Sequence, residues 1–125
     1  MIGYATLGTN QFEKSAAFYD ALLGDELGAK RVLENERIIL WATGPGAPML
    51  AICKPFDGNA ATVGNGNMIA LAMPSQDAVR KFHAKALELG ASDEGAPGPR
   101  ADGSFFGGYF RDLDGNKLVA FIIGG

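Results

Sequence analysis

The chain has one cysteine, one histidine, one tryptophan and no long hydrophobic run, and these scarcities exclude many common chemistries. Cys53 alone cannot form an internal disulfide or a cysteine-based zinc site. His83 alone cannot supply the two or three imidazoles of a histidine-rich zinc centre, and Ser-His-Asp or Cys-His catalysis would have to pass through that single side chain. The longest apolar runs, residues 68–73 and 118–123, fall far short of the ~20 residues that span a bilayer. Positive charge is also scarce: 11 Lys and Arg face 14 Asp and Glu, for a net charge of −3. Partners that need a basic patch are therefore not expected, which means no nucleic acid and no membrane surface. The opening Met-Ile-Gly-Tyr-Ala-Thr shows neither a basic stretch nor a cleavage site, so the expected address is cytoplasmic.

What remains is ordinary globular material. A length of 125 residues with 47% apolar and 20% charged side chains predicts one folded domain over residues 1–125. Glycine is abundant at 18 residues and clusters near 44–46, 64–66, 95–98 and 107–108, punctuating short segments. Residues 2–9 read as a strand. Asn10, three before Glu13, has capping-box spacing for a helix whose apolar stripe is Phe12, Ala16, Tyr19, Leu22 and Leu23. Gly24 and Gly28 bracket its end, and strands are predicted at 29–33, 37–43 and 49–54.

The plan then repeats. Residues 68–73 form a strand, Ser75 caps a second helix with Val79, Phe82, His83, Ala86 and Leu87 on its stripe, and the helix stops near Gly90. Strands at 91–94, 105–111 and 117–123 complete it, the last two joined by an Asp114-Gly115 turn. At an offset of 64 residues Tyr4 falls on Met68, Phe18 on Phe82 and Tyr19 on His83. This predicts an α+β fold of two tandem βαβββ modules, about 1–56 and 66–125, with a linker at about 57–65. Two curved sheets would leave a groove suited to a small ligand.

Three stretches carry a family likeness: residues 2–10, Ile-Gly-Tyr-Ala-Thr-Leu-Gly-Thr-Asn; residues 15–20, Ser-Ala-Ala-Phe-Tyr-Asp; and residues 110–117, Phe-Arg-Asp-Leu-Asp-Gly-Asn-Lys. With the doubled βαβββ order, the chain resembles the vicinal oxygen chelate superfamily of glyoxalase I, bleomycin-resistance proteins and extradiol dioxygenases. It looks most like the glyoxalase-like proteins of bacteria. The resemblance implies the glyoxalase/bleomycin-resistance fold, with curved sheets around a groove and assembly as a homodimer. Metal-dependent members place His, Glu or Gln at four inner-strand positions. Here those positions carry Tyr4, about Ala51, Met68 and Val119, which offer one weak oxygen donor. A metal ion needs several oxygen or imidazole donors at ~2.0–2.6 Å. The expectation is therefore no metal and no cofactor.

The other candidates have plainer readings. His83 lies on the helix stripe, so a packed and hydrogen-bonded role is expected. Cys53 follows an alternating strand pattern and reads as a buried, inert thiol. Gly64-Asn65-Gly66 neither follows a strand nor opens a helix, so it is not a phosphate loop. Asp112 and Asp114 belong to turn chemistry. Trp41 and Tyr109 stand before the last strand of each module and read equally as ligand-stacking or core aromatics. Residues 95–104 are expected to be a long connection, with Arg100 the cation to test against an anionic substrate. The predicted ligand-binding set is Tyr4, Trp41, Ala51, Met68, Tyr109, Arg111 and Val119. The expected function is metal-independent binding of a small organic molecule in the inter-sheet groove, as in the bleomycin-resistance branch. The alternatives are a lactoylglutathione-lyase-like or other lyase or isomerase with a non-standard site, and an interaction domain with a filled cavity.

Overall fold

A computed structural model describes residues 1–124. The chain divides into two compact units, Met1–Asn65 and the residues from Gly66 onward. Unit one runs β1 (Tyr4–Gly8), α1 (Phe12–Leu27), β2 (Lys30–Glu34), β3 (Ile38–Ala42) and β4 (Met49–Cys53). Its sheet has the order β1-β4-β3-β2, with β1 parallel to β4 and the other pairs antiparallel. Unit two repeats this with β5 (Ile69–Ala72), α2 (Gln76–Glu88), β6 (Ser92–Arg100), β7 (Phe105–Arg111) and β8 (Lys117–Ile123), ordered β5-β8-β7-β6. This is the α+β arrangement of two βαβββ modules that the repeat predicts.

Each sheet packs one face on its helix. In unit one, Ala16, Phe18, Tyr19, Leu22 and Leu23 of α1 are buried together with Leu7, Ile39, Trp41, Leu50 and Ile52 of the sheet. Strand alternation puts these sheet residues on one face and their chain neighbours on the other. In unit two, Val79, Phe82, His83 and Ala86 are buried with Phe110, Leu118 and Ala120. Burying each large apolar side chain contributes about 1.5–3 kcal/mol, so these two clusters dominate the folding energy.

Local chemistry sets the ends. Ser75 accepts a hydrogen bond from the Ala78 amide, as its N-cap position predicts. The first helix starts differently from expectation: Asn10 is not its cap. Gln11 occupies that position without a side-chain cap bond, and its own amide donates to Thr9 Oγ1. Asn10 instead reaches the segment after β4, accepting from the Ala61 amide at 2.7 Å and donating to the Ala61 carbonyl at 3.1 Å. Ala61 thereby lies on Gly8, where any Cβ would stand 2.9 Å from the Ala61 methyl. A side chain at residue 8 would push that segment off the sheet.

Residues 95–100 are a second departure, because they extend β6 rather than forming a loop. Prolines disfavour central strands, but β6 is an edge strand with bulges between Asp93 and Gly95 and between Gly95 and Gly98. The Asp112–Asn116 turn matches expectation. Asp112 Oδ1 accepts from the Asp114 and Asn116 amides at 2.9 Å each, and Oδ2 accepts from Asn116 Nδ2 at 3.0 Å.

Candidate functional site

The helix-free face of each sheet is where a ligand can be met. In unit one, register and alternation place Tyr4, Thr6, Gly8, Leu40, Met49, Ala51 and Cys53 on that face. In unit two they place Ala70, Phe105, Gly107, Tyr109, Arg111, Lys117, Val119 and Phe121 there, with Met68 continuing the β5 alternation. Tyr4 and Met68 are exposed, whereas Ala51 and Val119 have no exposed surface. Around Val119 the cover is visible: Phe105 folds over Gly107, whose Cβ would stand 2.6 Å from the Phe105 ring and 3.1 Å from Val119 Cγ2.

Six of the seven sequence-predicted residues thus lie on the helix-free faces, and Trp41 does not. It is buried against α1, with its ring 5.8 Å from Tyr19. Its indole Nε1 donates to Asp20 Oδ1 at 2.9 Å. Asp20 is gripped by Arg31, whose Nε and Nη2 donate to its two oxygens at 2.9 and 2.6 Å. The Arg31 guanidinium beside Asp20 holds that carboxyl below the usual carboxylate range, against partial burial and with help from the indole. Arg31 is correspondingly raised, first by its bonds to Asp20. Of the two roles open to Trp41, the structure selects core packing.

Arg111 is on the helix-free face but engaged: its Nε donates to Glu94 Oε1 at 2.7 Å and its Nη1 to the Gly115 carbonyl at 2.9 Å. Cys53 departs from expectation, since it is half-buried at the end of β4 on the helix-free side. His83 is packed as expected. Its Nε2 lies 3.1 Å from both Asp93 Oδ1 and the Tyr109 carbonyl, two acceptors that call for a proton on that nitrogen. The Asp93 carboxyl is lowered first by the Gly95 amide and then, against desolvation, by His83.

Sequence reasoning missed a cleft of about 780 Å³ in unit one, walled by Ile2, Lys30, Val32, Ala42, Pro45 and Met49. Its signal was present in Gly44-Pro45-Gly46 and Pro48, which shape the β3–β4 loop. A smaller cleft of about 320 Å³ lies beside Thr9, Phe12, Lys54 and Asn59, with Lys54 Nζ 5.2 Å from the Phe12 ring centroid.

A family model described as Glyoxalase/Bleomycin resistance protein/Dioxygenase superfamily matches residues 1–120. The chain belongs to this superfamily. A glyoxalase/bleomycin resistance protein from Albidiferax ferrireducens T118 is 35% identical, with 97% of each chain covered and a TM-score of 0.85. A glyoxalase/bleomycin resistance protein/dioxygenase family enzyme from Burkholderia phytofirmans PsJN shares 15% identity over 97% of both chains, with a TM-score of 0.76. A lactoylglutathione lyase from Agrobacterium tumefaciens is 18% identical over 97% of this chain and 92% of its own, with a TM-score of 0.70. The last two likenesses establish the fold alone. A search of curated proteins found no match.

The resemblance gives metal-dependent members a centre built from His, Glu or Gln donors, and this chain's residues do not fit such a centre. The positions to which the resemblance assigns those donors, Tyr4, about Ala51, Met68 and Val119, carry a phenol, a methyl, a thioether and an isopropyl group. Among the described residues no cluster of three or more His, Cys, Asp or Glu could hold a metal ion.

Proposed function

We propose that the protein binds a small organic molecule on the helix-free sheet surface without a resident metal. What supports this reading is the composition of the four positions to which the family resemblance assigns metal ligands, Tyr4, about Ala51, Met68 and Val119, which offer one weak oxygen donor. Apolar and aromatic side chains with a few polar groups make up the helix-free faces, which is the composition of a small-molecule site. Metal chemistry in this superfamily polarises a substrate oxygen, an effect worth several kcal/mol at the transition state. One phenol and an already engaged Arg111 do not replace it. A cytoplasmic homodimer with no nucleic-acid or membrane partner accompanies the reading, and sedimentation equilibrium tests the dimer.

The test of function is the metal content of purified protein, with Zn, Ni, Mn and Fe titrated by calorimetry. The expected result is no stoichiometric metal and no binding at micromolar concentration. Stoichiometric binding would overturn the reading in favour of a lyase or isomerase with unusual ligands. The ligand screen that follows should use ligand-observed NMR. Trp41 is buried on the helix side and is poorly placed to report a ligand on the other face.

A further inference from the structure

Tyr109 has two cations at its ring. The Arg100 guanidinium carbon and Lys117 Nζ each lie 5.5 Å from the ring centroid. Arg100 ends β6 and Lys117 begins β8, the two strands that flank β7, so the cations arrive from opposite neighbours. Neither has a carboxylate within ion-pair distance among the described residues. Glu94, on the same edge strand as Arg100, is taken by Arg111.

Arg100 is also held in place. Its Nη2 donates to the Ala96 carbonyl at 2.8 Å and its Nη1 to the Pro99 carbonyl at 3.2 Å. The bulged strand makes room for it, since a Cβ at Gly95 would stand 3.3 Å from Nη2 and one at Gly98 3.2 Å from Nη1. A guanidinium carries five N–H donors, so most of its donors remain for a ligand. Lys117 adds an ammonium with no hydrogen-bond acceptor among the described residues.

The same face turns apolar along the strands. Val119 pairs with Tyr109, Phe121 pairs with Gly107, and Phe105 stacks on Phe121 with ring centroids 5.3 Å apart and planes 2° apart. Two cations without counter-charges at one end and stacked aromatics at the other match an amphipathic anion. We propose that this strip of unit two is a subsite for a small aromatic or aliphatic carboxylate. Arg100 and Lys117 take the carboxylate, and the stacked rings of Phe105 and Phe121 take the apolar body. The inference rests on the small-molecule reading above and narrows it to a substrate class.

The experiment is calorimetric titration of the native chain, R100Q and K117Q with naphthoate and with its neutral counterpart naphthylmethanol. Charge-assisted hydrogen bonds exceed neutral ones, so naphthoate is expected to bind about tenfold or more tightly than naphthylmethanol. Each substitution is expected to weaken naphthoate roughly three- to tenfold and leave naphthylmethanol unchanged. Added salt should weaken naphthoate alone. Equal affinity for the two probes, or naphthoate binding indifferent to both substitutions, overturns the carboxylate subsite while leaving small-molecule binding in place. Failure of either probe to bind at millimolar concentration overturns the subsite and counts against the broader reading as well. Arg100 braces β6, so R100Q risks misfolding; K117Q removes an ammonium that holds no strand and carries the test by itself.

Discussion

Asp20 is the residue whose loss should reveal what Trp41 does. Its carboxylate accepts from the Trp41 indole and from two Arg31 nitrogens. In D20A the buried indole N–H would lose its acceptor, a penalty of about 1–3 kcal/mol. The Arg31 pair is partly exposed, at 32% and 44% of the two side chains, so its loss adds only about 0.5–1 kcal/mol. D20A is therefore expected to destabilise the chain by about 2–4 kcal/mol, while D20N, which keeps an oxygen for the indole, should cost roughly half as much. W41F removes the donor, so D20A and W41F together should cost about 1–2 kcal/mol less than the sum of the single changes. Urea unfolding followed by far-ultraviolet circular dichroism is the suitable assay, because W41F deletes the only tryptophan. An additive cycle, or a D20A penalty below about 0.5 kcal/mol, would refute the anchoring of Trp41 on the helix side.

Stability should also depend on pH through the same carboxyl. Its folded-state value lies below the ordinary 3.8, so its contribution is complete above about pH 4 and is lost as pH falls through the lowered value. Acid titration of unfolding should accordingly be shallower in D20N than in the native chain. Asp112 is buried and receives three hydrogen bonds from its own turn. D112A should cost about 2–4 kcal/mol in urea unfolding, and a value under about 1 kcal/mol would show that the turn stands without it. N10A removes both bonds to Ala61. Limited proteolysis should then cut the segment around Ala61 faster, with a global cost of only about 0.5–1.5 kcal/mol.

Much of this architecture was legible because it repeats and because two of its periods are strong. The α2 stripe, its Ser75 cap and the Asp112–Asn116 turn each have a local cause that a short window contains. Asn10 misled for the opposite reason. Its spacing to Glu13 is that of a cap, but its amide meets Ala61, fifty-one positions away, and no local window holds that partner. Residues 95–100 misled because glycine and proline ordinarily end strands. An edge position with bulges tolerates both, and which strand is the edge is a property of the sheet.

The misplacement of Trp41 has a sharper cause, a slip of one residue between the two units. The sequence order matches Trp41 to Tyr109, as both precede the last strand of their module. The registers show otherwise: Leu40 pairs with Ala51 as Tyr109 pairs with Val119, and Trp41 pairs with Leu50 as Phe110 pairs with Leu118. Trp41 is thus the counterpart of Phe110. Each packs on an aromatic of its own helix, Tyr19 at 5.8 Å for Trp41 and Phe82 at 6.1 Å for Phe110. A shift of one residue along a strand moves every side chain to the other face, so the sequence likeness of two aromatics could not decide the side. It follows that the true counterpart of Tyr109 is a leucine. The units share a fold but not a surface: unit two carries the phenol with its two cations, where unit one presents an aliphatic side chain. If the helix-free faces discriminate between charged and neutral ligands, unit two is the half that does so. Exchanging Tyr109 for leucine should then reduce preference for a carboxylate over its neutral counterpart while leaving apolar affinity nearly intact, and an unchanged ratio of the two affinities would refute this asymmetry.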